Sequence, residues 1–138
     1  MGIAALILWL LTAAGGFVLL GTWIAKGGVR QGSTTRLPAP VVFGHFLLAA
    51  AGLIVWIIYL VADNDVLAWV GFALLVPVAL LGFAMLLRWI PVYRAAAAAG
   101  TAEPAERHFP VAIVGGHGVL AVATVVLVLL TALGVGGS

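Results

Sequence analysis

The sequence contains no cysteine and only ten charged residues, six Lys or Arg and four Asp or Glu. The first absence excludes disulfides, thiolate nucleophiles, iron–sulfur clusters and Cys-bound zinc. The second excludes an ordinary soluble domain, in which about a quarter of residues carry charge, and the high hydrophobicity excludes a disordered tail. Six basic residues are too few for a phosphate-binding footprint, so a net charge of +2 and a pI near 9.7 do not point to nucleic acid. Catalytic signatures are missing as well: there is no HExxH, glycine-rich phosphate loop or nucleophile–base pair. Asp63 and Asp65 read as a solvated turn.

What remains is apolar. Of 138 residues 65% are hydrophobic, and the mean hydropathy is +1.31. So short a chain leaves much of its surface exposed, and the solvent that suits this surface is lipid. The charges separate four apolar runs, roughly 3–25, 38–62, 66–92 and 109–134. Each reaches the about 20 residues needed to cross a hydrocarbon core, and none alternates with period two as a barrel strand would. The expectation is one all-α integral membrane domain, 1–138, with four transmembrane helices in an up-down-up-down bundle.

The first run lacks the basic leader and clear cleavage site of a secretory signal, so it is expected to be retained. Lys26, Arg30, Arg36, Arg88, Arg94 and Arg107 all fall in the first and third loops or the adjoining helix ends. The positive-inside rule places loops 26–36 and 94–107 in the cytoplasm and both termini outside a prokaryotic plasma membrane. Trp23, Trp69, Trp89 and Tyr93, near helix ends, suit interfacial anchoring. Pro77 is expected to kink the third helix. Ala95–Ala99 is expected to begin the third loop as a frayed helical extension. Gly15-Gly16, Gly115-Gly116 and Gly136-Gly137 suggest no more than close helix packing or a flexible tail.

Sliding the second run onto the fourth by 72 positions aligns Pro38 with Pro110, Val42 with Val114, and Gly44-His45 with Gly116-His117. Sliding the first onto the third by 66 aligns Gly16-Phe17 with Gly82-Phe83 and Trp23-Ile24 with Trp89-Ile90. Leucine and alanine matches are common by chance, but these pairs are more selective. They indicate a duplicated helical hairpin with halves at roughly 1–65 and 66–138. Copies with the same orientation are related by a pseudo-two-fold axis along the membrane normal, which sets His45 and His117 at equal depth. Each lies roughly 10 Å inside its helix start, in the cytoplasmic leaflet.

An ionisable side chain inside a membrane helix is a functional-site hypothesis, although a single histidine can also bond across helices as structural glue. Four chemistries compete for the pair. Bis-histidine haem b needs two axial nitrogens from opposite faces of a flat apolar macrocycle. Gly44 and Gly116 are small, and Ala49 and Ala121, one turn beyond each histidine, leave room for a porphyrin edge. Gly52 and Thr124 continue that face. Phe17 and Phe83 could flank the ring, and Arg36, Arg88 and Arg107 could pair with propionates. Arg88 is the best placed of these, though a snorkelling anchor explains it equally well. A divalent metal site wants three or four ligands, and His108 lies at the water boundary beside Arg107. A proton relay needs partners in the outer leaflet, where only Tyr59 and Thr131 are found. Stand-alone catalysis has no supporting constellation.

The helix count, the paired Gly-His and the basic rim resemble the small four-helix membrane cytochromes b and the haem-carrying membrane anchors of respiratory complexes. The resemblance implies one haem b per chain, with His45 and His117 on the iron. It also implies an electron carrier or redox subunit that exchanges with quinone or a partner subunit, with a homo-oligomer as a further option. The two-haem pattern is not matched, because the outer leaflet has no histidine. Two other readings stay open. One is a non-catalytic subunit or assembly factor of a larger membrane complex with structural histidines, and the other a small transporter or proton relay.

Overall fold

The computed structural model describes residues 1–95 and 100–136. Most of the Ala95–Ala99 run, and Gly137, therefore lie outside the described residues. Four helices, α1 (Gly2–Ala25), α2 (Ala39–Ala62), α3 (Asp65–Arg94) and α4 (Val111–Ala132), are joined by loops and a 3-10 turn at Ala105–His108. No strand occurs among the described residues. All four helices are long and apolar enough to cross a membrane. Their outer faces carry large apolar side chains such as Ile3, Val61, Leu87 and Val119, a surface compatible with lipid contact.

The helix ends follow from local chemistry. α1 stops in a Schellman motif: Gly27 adopts φ +90, its N–H bonds the Ile24 carbonyl, and the Gly28 N–H bonds that of Trp23. Gly134, at φ +74, ends α4 in the same way, with Val135 donating to Leu130. Between α2 and α3 there are only Asp63, at φ 49, and Asn64, whose Oδ1 accepts the Val66 N–H at 3.0 Å. So short a turn forces the two helices antiparallel. α3 is continuous through Pro77 and Pro91. α4 begins two residues later than the apolar run, because the 3-10 turn and the extended Pro110 intervene.

The four helices alternate in direction. The Trp56 indole donates to the Gly2 carbonyl at 3.2 Å, which joins the start of α1 to the end of α2. α2 packs most extensively on α3 and α1 on α4, whereas the α1–α2 and α3–α4 contacts are lighter. The bundle is thus two tight pairs that meet along a looser seam. At the end where α1 begins, the seam is filled by Trp9 and Trp56, ring centroids 6.4 Å apart, within a cluster that includes Tyr59, Leu75 and Val128. At the basic end a second cluster joins Trp23, Leu37, Val42 and Ala105.

Candidate functional site

His45 and His117 face each other across the seam, ring centroids 6.3 Å apart and planes inclined by 60°. Each lies six residues into its helix, about 9 Å from the basic end. Each is also tied to its own tight pair. His45 Nδ1 lies 2.9 Å from the Val78 carbonyl on α3, and His117 Nδ1 lies 2.8 Å from the Thr12 carbonyl on α1. A carbonyl can only accept, so each Nδ1 carries the proton and donates, and in the neutral ring Nε2 keeps the lone pair.

Glycine lets the neighbouring backbone approach this closely. A Cβ at Gly82 would stand 3.2 Å from His45 Cε1, and one at Gly16 would stand 3.1 Å from His117 Cε1. The two environments correspond at the offsets that align the sequence. Thr12 and Val78 are 66 apart, as are Gly16 and Gly82, and the histidines are 72 apart.

Gly44 and Gly116 are placed otherwise: a Cβ at either would meet nothing within 4 Å. Of the other expected site residues, Ala49 packs against the Trp9–Trp56 cluster and Ala121 is half-buried. Phe17 and Phe83 lie on the outer surface, Phe17 edge-on to Phe46. Arg107 is committed elsewhere, because its guanidinium donates to the Val92 carbonyl at 2.7 Å and to that of Ala95, and pairs with Glu103 at 3.2 Å. It closes the end of α3. Arg36 and Arg88 are exposed and line an open groove at the basic rim. His108 is also exposed, 3.9 Å from Glu103.

Sequence reasoning missed Glu106, which is fully buried. Its carboxylate accepts from the Thr35 hydroxyl and the Arg36 N–H, both at 2.6 Å, and its carbonyl accepts the Trp89 indole at 3.0 Å. Thr35 in turn accepts the Trp23 indole at 2.9 Å. This network seals the basic end beneath the histidines.

Two imidazoles that share one metal from opposite sides need a metal–nitrogen bond of about 2.0 Å and about 1.1 Å from nitrogen to ring centre on each side, or about 6 Å in all. The observed centroid spacing of 6.3 Å matches that length, so His45 and His117 are the residues that would hold such a metal. Neither Nδ1 hydrogen bond crosses the seam, since His45 bonds to α3 and His117 to α1. Two ligands suit haem iron better than a protein-only metal site, and no group of three or more His, Asp or Glu able to hold an ion occurs among the described residues. No family model matches the chain, and neither a curated protein nor a solved structure is found to match it.

The glycine geometry makes a prediction. Gly82→Val or Gly16→Val drives a branched side chain into the adjacent imidazole and should cost about 1–3 kcal/mol of stability. Gly44→Ala should stay within about 0.5 kcal/mol. Thermal unfolding in detergent reads both, and equal effects would contradict the packing described.

Proposed function

We propose that the chain is a single-haem b-type membrane cytochrome built from a duplicated helical hairpin, with His45 and His117 as axial ligands. The carrying observation is the pair of imidazoles at 6.3 Å across the seam, each anchored through Nδ1, which leaves Nε2 as the atom that would ligate. Such anchoring by a carbonyl fixes the ring orientation and raises ligand basicity. An apolar cluster lies on either side of the pair along the bundle, and the Glu106 network closes its basic end. Bound haem would supply one-electron chemistry, exchanged with quinone or a redox partner near the basic face. The propionate role expected of Arg36, Arg88 and Arg107 is not needed for this reading. The test is the visible spectrum of the purified protein: α and β bands on dithionite reduction support the reading, and a colourless chain that takes up no added haem sinks it.

A second reading rests on the same hydrogen bonds. Both histidines join one helix to another, as structural histidines of a non-catalytic subunit would. It predicts no haem uptake and a stability loss on histidine removal.

The proposed topology puts loops 26–36 and 94–107 in the cytoplasm of a prokaryotic cell and both termini outside. The chain has no native cysteine, so single substitutions report directly. A membrane-impermeant maleimide should label Asp65→Cys on intact cells and Gln31→Cys only after permeabilisation. The reverse pattern inverts the orientation.

A further inference from the structure

We propose that the groove between the start of α2 and the end of α3 binds the phosphate headgroup of an anionic membrane lipid through Arg36 and Arg88. The open groove offers a volume of about 540 Å³, and its apolar wall is formed by Leu37, Pro38, Leu87 and Pro91. Its charge has no counterpart within the protein. Asp63 and Asp65 lie at the opposite end of the bundle, and Glu103 pairs with Arg107 and His108. The Glu106 carboxylate is taken by the Thr35 hydroxyl and the backbone of Arg36. Among the described residues, neither guanidinium of the groove therefore meets a carboxylate.

The site is also prepared. Glu106 fixes the Arg36 backbone, and the Arg36 carbonyl accepts from the Arg88 guanidinium at 3.2 Å, which steers that fork over the groove. Arg88 is exposed near the end of α3, where its charge is open to the lipid–water boundary. Leu87, 69% exposed, leads from the groove down the apolar face of α3, along the path of an acyl chain. A charged head and a greasy tail are both accommodated. A basic pocket between helices at the membrane boundary suits an anionic lipid.

This inference rests on the chain spanning a bilayer but not on haem. The test is native mass spectrometry of the detergent-solubilised protein equilibrated with equal phosphatidylglycerol and phosphatidylcholine. Phosphatidylglycerol should be retained preferentially. Each arginine near an anionic headgroup contributes about fivefold, so Arg36→Gln/Arg88→Gln should lower the preference by the order of twentyfold. The double variant Arg30→Gln/Arg94→Gln, which removes the same charge elsewhere, should leave it intact. Competition by glycerol phosphate against wild type reads the same site without a substitution and separates a free phosphate ligand from one that needs its acyl chains. Equal retention of both lipids, an equal loss in both double variants, displacement as complete by glycerol phosphate as by lipid, or a preference seen only in haem-free His45→Ala overturns the proposal. Release of the chain from membranes by alkaline carbonate would overturn the bilayer reading itself, whereas a carbonate-resistant chain with no headgroup preference sinks the lipid site alone.

Discussion

His45→Ala and His117→Ala should each abolish the reduced α and β bands while leaving the helical circular dichroism unchanged. Either change removes half of the proposed axial pair, and no other histidine faces the seam. Among the described residues His108 is the only other histidine, and it stands at the exposed rim. The fold should survive, since each imidazole contributes one interhelical hydrogen bond, worth about 0.6–2 kcal/mol in a membrane bundle. Glycine at either position opens a ring-sized space, so added imidazole should restore the bands in His45→Gly and His117→Gly. Such rescue separates ligation from a purely structural role, which free imidazole would not recover spectroscopically. Bands of undiminished strength in both alanine variants would end the assignment.

The second large effect is expected at Glu106. Glu106→Ala removes the acceptor of the Thr35 hydroxyl and of the Arg36 N–H in a fully buried setting. Hydrogen bonds to charged groups contribute about 1.5–3 kcal/mol each, so a loss of about 3 kcal/mol or more should appear in thermal or denaturant unfolding. Glu106→Gln should fall between, because its amide NH2 must face one of the two donors. Thr34→Ala loses only an exposed 3.3 Å bond to the Ala102 carbonyl and should stay within about 0.5 kcal/mol. A Glu106→Ala change no larger than that would show the clasp to be dispensable. The clasp joins the first and third loops, so its loss should also loosen the basic ends of α2 and α4, on which the histidines stand.

The helices were legible because lipid-compatible runs are long, unbroken and flanked by charge. The facing of His45 and His117 was legible because two constant offsets carry their surroundings from one half of the chain to the other. The glycines that touch the rings were harder to identify. A residue next to a histidine in sequence is turned about 100° away from it on the helix, so Gly44 and Gly116 cannot lie beneath the imidazoles. What lies beneath a ring comes from another helix. The aligned Gly16-Phe17 and Gly82-Phe83 pairs were the available signal. Glu106 was not legible at all. It sits among the charges of a loop, and a carboxylate there is ordinarily solvated; only the three-dimensional return of Thr35 and Arg36 makes it internal.

If the proposed reading holds, the depth of the imidazole pair has an electrical consequence. In the proposed cytochrome the imidazole pair would lie about 9 Å from the basic end of a barrier about 30 Å thick, so an electron arriving from that end would cross about a third of any transmembrane voltage. With about 2.3 kcal/mol per charge for each 100 mV, this amounts to less than about 1 kcal/mol. Midpoint potentials measured in energised and de-energised vesicles should therefore differ only slightly. A circuit through the whole bilayer would need a second relay in the half that Trp9 and Trp56 occupy.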